Sequence, residues 1–133
     1  GELNTFKVRH AGFAILESTT PPGGGMPPHV HHSQEETVYV LEGEYVFFSG
    51  EEELVVGPGS LVSISRGTTH AFKVTGQEPG RCLMILTPPG PLERFFEEVG
   101  VPVGNGASSG SPEMEEVLAS ARRNGIELLI TPV

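Results

Sequence analysis

Between residues 6 and 87, apolar and polar side chains alternate in short runs that are broken by Gly, Pro and acidic turns. This pattern predicts strands at 6–10, 13–18, 29–31, 36–42, 44–49, 53–56, 60–64, 70–75 and 81–87. Eight or nine short strands point to a sandwich or barrel, in which strands adjacent along the chain are expected to pair antiparallel. Glu42-Gly43-Glu44 and Ser49-Gly50-Glu51-Glu52 have hairpin lengths, and Gly57-Pro58-Gly59 and Arg66-Gly67-Thr68-Thr69 interrupt the later strands. Past Pro88-Pro89-Gly90-Pro91 the period changes. Leu92, Phe95, Phe96 and Val99 recur at i, i+3, i+4 and i+7, which predicts a short amphipathic helix. Residues 100–110 read as a loop, with Gly104 to Gly110 expected to be poorly ordered. A second helix is expected with Ser111 as N-cap, Pro112 at its first position, Met114, Val117, Leu118 and Ala121 on one face, and Gly125 just past its end. Ile126 to Ile130 is apolar enough to pack as a strand or an extended tail, and no internal repeat is visible.

The 133 residues fit one domain, with a barrel core at about 6–90 and a helical extension over about 91–133. Eight Lys and Arg against 17 Asp and Glu give a net charge of −9, which argues against nucleic-acid or anionic-membrane partners. No apolar run approaches the ~20 residues of a membrane span, so a soluble protein is expected. The lone Cys82 can form no intramolecular disulfide and favours a cytoplasmic location; the chain opens on Gly1 rather than Met, as a trimmed product would.

Chemistry concentrates in Pro28-His29-Val30-His31-His32-Ser33-Gln34-Glu35-Glu36. Alternation along a strand puts His29 and His31 on one side, where two imidazoles can converge. Glu36 lies five positions beyond His31, an odd offset, so the polar turn around Ser33-Gln34 must redirect the chain to bring the carboxylate to the same point. His70 opens a later strand directly after the 66–69 turn, and closure of a barrel would set it beside the first pair. Three imidazoles and one carboxylate would make a metal site. His32 has the opposite parity and should face outward. Glu35 and His10 are read as structural or solvated, like the acid run Glu51-Glu52-Glu53.

These residues resemble the first motif of the cupin superfamily: Gly, five residues, His-x-His, three or four residues, Glu, six residues, Gly. Gly23, His29, His31, Glu36 and Gly43 fit it throughout, and Gly59, Gly67 and His70 match the second motif, where Ser65 and Val74 replace the family's Pro and Asn. The resemblance spans about residues 10–90, and the layout is similar to single-domain cupins of the quercetin dioxygenase-like group. It implies an all-β cupin barrel, a double-stranded β-helix or jelly roll, with two short C-terminal helices. It also implies a metal held by His29, His31, Glu36 and His70, and a homodimer formed through outer barrel faces or a swapped terminal strand.

Mixed nitrogen and oxygen donors suit one divalent transition metal ion, whether Fe, Mn, Ni, Co, Cu or Zn. Four protein donors leave an octahedral ion open to a small-molecule substrate. The resemblance implies a dioxygenase acting on an aromatic enol such as a flavonol, with Glu36 as both ligand and general base, a role it would fill best if the apolar barrel raised its pKa. Parity places Val38 and Val40 with Glu36, and Phe72 with His70. Tyr45 and Phe47 share one face of their strand and Val46 and Phe48 the other, so one pair reaches the interior. Val38, Val40, Phe47 and Phe72 form the expected substrate pocket. Met84 and Leu86 are read as core and Cys82 as inert. A metal- and ligand-binding module without turnover, for sensing or storage, is the alternative. An isomerase or decarboxylase is a third reading, which needs a cation for a substrate carboxylate, and Arg66 and Lys73 are the basic residues near His70.

Overall fold

A computed structural model describes residues 2–9, 12–100 and 113–129. His10, the 104–110 loop, Ser111 and Pro112 fall outside the described residues. The strands are β1 (Leu3–Arg9), β2 (Ala14–Thr20), β3 (Gly25–His31), β4 (Glu35–Glu42), β5 (Glu44–Ser49), β6 (Glu52–Val56), β7 (Leu61–Ile64), β8 (His70–Thr75) and β9 (Gly80–Thr87). Helices α1 (Pro91–Val99) and α2 (Met114–Arg123) and the short strand β10 (Ile126–Leu128) follow.

Two five-stranded antiparallel sheets face each other as a jelly roll, with orders β1-β2-β9-β4-β7 and β10-β3-β8-β5-β6. Period-two patterning decides which side chains meet between them. Ala14, Leu16, Val38, Val40, Val62, Ile64, Met84 and Leu86 line the first sheet's inner face, and Tyr45, Phe47 and Val74 answer from the second. The open question on β5 is thereby answered: Tyr45 and Phe47 point inward, while Phe48 is exposed.

Chain-adjacent pairing holds only for β1–β2 and β5–β6 among the described residues. Elsewhere the chain crosses between sheets, because each sheet buries only one face and successive strands must supply both sides of the core. Glu42-Gly43-Glu44 is therefore a corner between sheets, not a hairpin. Gly43 takes φ 85° there, and a Cβ on it would lie 2.6 Å from the Pro79 carbonyl oxygen. Strand β3 begins four residues before its expected start, through Met26-Pro27-Pro28. The pairing with β8 shifts between Met26 and His29, so the bulge absorbs two residues that cannot donate to a ladder. Gly25 is required beside it, since a Cβ would overlap the Phe72 carbonyl oxygen.

On α1, Leu92 and Phe95 are buried, and Phe96 and Val99 pack against the core. On α2, Val117 packs against the core and Ala121 is buried, but Met114 is 55% exposed and the helix starts after Glu113 without a side-chain cap. The polar first turn Met114-Glu115-Glu116 is solvated, so the apolar face is shorter than its spacing suggests. The terminal segment finds its partner in β3, with Ile126 opposite His31 and Leu128 opposite His29.

Candidate metal centre

Four buried side chains from both sheets meet at one end of the interior. His29 and His31 come from β3, His70 from β8 and Glu36 from β4, and their ligand atoms all lie within 4.8 Å of one another. His29 and His70 are register partners, and the ring centroids lie 4.0 Å apart for His29–His70, 4.9 Å for His29–His31 and 5.2 Å for His31–His70. The turn at 32–34 restores the parity that a straight strand would have cost Glu36, as its sequence offset required. The Glu36 Oε2 atom sits 3.1 Å from His70 Nε2 and 3.7 Å from His31 Nε2.

Second contacts fix the ring orientations. His29 Nδ1–H donates to the Pro27 carbonyl at 2.8 Å, and His70 Nδ1–H donates to the Thr68 carbonyl at 3.0 Å. A carbonyl only accepts, so both rings carry hydrogen on Nδ1 and turn Nε2 toward the cluster. The Gly67 amide donates to the His31 carbonyl at 2.8 Å, tying the turn before His70 to the strand that carries the first two histidines.

Gln34 was not singled out by sequence reasoning, yet it is 1% exposed and uses both ends of its amide. Nε2 donates to the Pro88 carbonyl at 2.6 Å, and Oε1 accepts from the Leu92 amide at 2.9 Å, which locks the ligand-bearing turn to the start of α1. Its signal was a large polar residue standing between two ligand positions where Ser or Gly would suffice for a turn. Glu35 and His32 face outward as expected, toward Arg66 at 3.3 Å and Glu127 at 3.1 Å.

The protonation pattern is divided. Burial, reinforced by His70 and His31, pushes His29 down to about 4, and His31 is lowered by burial too. For His70 burial is overcome by the hydrogen bond and charge of Glu36, and its pKa is raised. Burial works against the Glu36 carboxylate, but the His70 hydrogen bond and the surrounding imidazoles outweigh it and lower its pKa. That is opposite to the upward shift that would best suit a general base: the apolar barrel is present, but the acid's nearest neighbours are cationic when charged.

This donor set fits a divalent transition metal. Donors about 2.1 Å from an ion stand about 3 Å apart when adjacent and about 4.2 Å apart when opposite, so the cluster needs only a few tenths of an ångström of contraction. The His70 proton facing Glu36 is the one an ion would displace.

The metal-free protein should lose stability on acidification. Unfolded His29 takes up a proton near its ordinary 6.5, whereas folded His29 stays neutral to about 4. Its contribution is full above 6.5 and declines as pH falls through that window. The raised His70 has the opposite sign: its contribution is full below 6.5 and is lost as pH rises beyond it, so between about pH 7 and about pH 5 it offsets part of the His29 loss. Urea midpoints taken at about pH 7 and about pH 5 should fall in wild type and fall less in His29→Asn; equal slopes would show that His29 titrates normally.

The cupin domain family matches residues 16–86. Quercetin 2,3-dioxygenase of Bacillus subtilis is 27% identical over 90 residues, which cover 68% of this chain and 26% of that protein. The matched segments span 26% to 61% of the curated relatives' own lengths. Among solved structures, KdgF from Halomonas sp. superposes with a TM-score of 0.65 at 16% identity, covering 68% of this chain and 81% of that one. A putative sugar phosphate isomerase from Acidithiobacillus ferrooxidans is 26% identical with a TM-score of 0.58, covering 66% and 60%.

Proposed function

The chain belongs to the cupin family, and from that premise we propose that it is a metal-dependent dioxygenase acting on an enol-bearing aromatic such as a flavonol. The buried three-histidine, one-glutamate cluster carries this reading, and the likeness to the Bacillus enzyme supports the substrate class. His29, His31, Glu36 and His70 would hold one divalent ion. When bound, the metal supplies a Lewis acid for the substrate hydroxyl and, if redox-active, handles the electrons of dioxygen, the co-reactant. Glu36 is ionised at neutral pH and within reach of a hydroxyl brought to the cluster, so it would take the substrate proton; its lowered pKa makes it a weaker base than a carboxylate in an apolar pocket. Val38, Val40, Phe47 and the half-buried Phe72 would form the apolar wall against the aromatic rings.

Non-catalytic metal and ligand binding is the second reading, since the four clustered donors would hold an ion with or without turnover. The isomerase or decarboxylase reading is weakened, because Arg66 turns to Glu35 on the surface and Lys73 is exposed. A homodimer and a cytoplasmic setting belong to the same proposal. The first rests on the outward Tyr39 and Leu61, register partners that are 39% and 64% exposed, and the second on a lone, buried cysteine. No helix among the described residues is long and apolar enough to cross a membrane.

The test is oxygen consumption by protein loaded in turn with Fe, Mn, Co, Ni and Cu, sized by sedimentation beforehand. Uptake on addition of a flavonol to a dimeric sample is expected with at least one metal. Full metal occupancy with no uptake for any ion would replace the enzyme with the binding module, and a monomer throughout would remove the dimer.

A further inference from the structure

A second polar cluster lies at the other end of the interior. Along β9, Leu86 stands opposite Glu36, while Cys82 stands opposite Ser18 and Val40; four residues of strand separate the two levels by about 13 Å. Ser18, Thr20 and Tyr45 there are each 0% or 1% exposed. Asn4 is the register partner of Ser18, and Glu2 lies two residues before it on the same face of the chain. Thr20 is opposite Gly80, and a Cβ on Gly80 would lie 2.7 Å from the Tyr45 hydroxyl, so that hydroxyl rests directly over the rung that carries Thr20.

Two buried oxygens of this cluster, Asn4 Oδ1 and Thr20 Oγ1, have no hydrogen-bond partner, and a third, Tyr45 Oη, has no oxygen or nitrogen partner. The Tyr45 hydroxyl has the Cys82 thiol beside it, which is a weak partner. Ser18 Oγ donates to Glu2 Oε1 at 2.8 Å and the Asn4 side chain also hydrogen-bonds to that carboxyl, but burial outweighs both and raises the Glu2 pKa, so its charge is under-compensated. Among the described residues no lysine or arginine pairs with Glu2. The cluster therefore combines a half-buried carboxyl whose burial disfavours its charge with buried oxygens lacking a strong donor. Asn4 Oδ1 can only accept, so an anion cannot satisfy it.

We infer that this end of the barrel is a second site, built to hold a small monovalent cation on Glu2, Asn4 Oδ1, Thr20 Oγ1 and Tyr45 Oη. Oxygen-only donors select a hard cation. One carboxylate among neutral oxygens matches a single positive charge, whereas a divalent ion would leave an unbalanced charge in the interior. The site is independent of the histidine cluster, whose imidazoles favour transition metals.

Thermal unfolding in NaCl, KCl and RbCl, each compared with tetramethylammonium chloride at equal ionic strength, tests the site. One of the inorganic cations is expected to raise Tm by roughly 5 °C. That rise should vanish in Glu2→Gln and in Thr20→Val and persist in Glu36→Gln. Crystals grown in RbCl should show an anomalous peak among Glu2, Thr20 and Tyr45. Equal Tm in all four salts, a rise that survives both Glu2→Gln and Thr20→Val, or water in place of the rubidium peak would overturn the proposal.

Discussion

Protein carrying His29→Ala together with His70→Ala should bind a divalent transition metal at least ~100-fold more weakly than wild type. The two residues are register partners on adjacent strands, so the double change removes two nitrogen donors from one face of the cluster and leaves His31 and Glu36. It also takes away the His70 hydrogen bond that keeps the buried Glu36 carboxylate ionised. Elemental analysis after reconstitution reads the result, with circular dichroism of both metal-free proteins as the check on folding. A folded variant that retains wild-type metal would place the ion elsewhere and sink the four-ligand site. Glu36→Gln should be milder, because an amide oxygen keeps the shape and a neutral donor while losing the charge.

Phe47→Ala should destabilise the domain by about 3–5 kcal/mol, which corresponds to a fall in Tm of roughly 10–20 °C for a chain of this size. The ring is 2% exposed, and its centroid lies 5.6 Å from those of both Tyr45 and Phe72. Truncation therefore opens a cavity flanked by two aromatic rings that β5 and β8 hold in place. Phe48, the next residue, is 43% exposed and faces the other way. Phe48→Ala should cost less than about 1 kcal/mol. Paired urea titrations decide the matter, and equal losses would mean that the orientation of β5 is wrong.

Much of this architecture was legible because strand chemistry is local. The parity of His29 and His31, the turn that had to rescue Glu36 and the outward His32 all follow from a two-residue repeat, and each stands where that repeat puts it. The pairing of strands was not legible, since Glu42-Gly43-Glu44 has the length of a hairpin and only long-range packing against Pro79 makes it a corner. The direction of the Glu36 shift was also hidden. Burial can be guessed from neighbours in sequence, but the imidazole that overrides it lies 34 residues away along the chain. Gln34 escaped for a related reason: both partners of its amide belong to the segment after β9. On β5 the alternation named two faces, and only the opposing sheet could tell which was inside.

The position of β10 has a consequence for how the protein fails. Without it, β3 would be the rim of its sheet, and the strand bearing His29 and His31 would present open backbone donors and acceptors to any passing chain. The ladder to Ile126–Leu128, extended by the His32 amide to the Gly125 carbonyl and the Leu129 amide to the Pro28 carbonyl, closes that edge. The opposite rim, β6, carries Glu52 and Glu53 as charged guards instead. Fraying of the last strand would thus turn the strand that carries His29 and His31 into a template for intermolecular β-pairing, so aggregation and loss of the four-residue cluster would share one starting event.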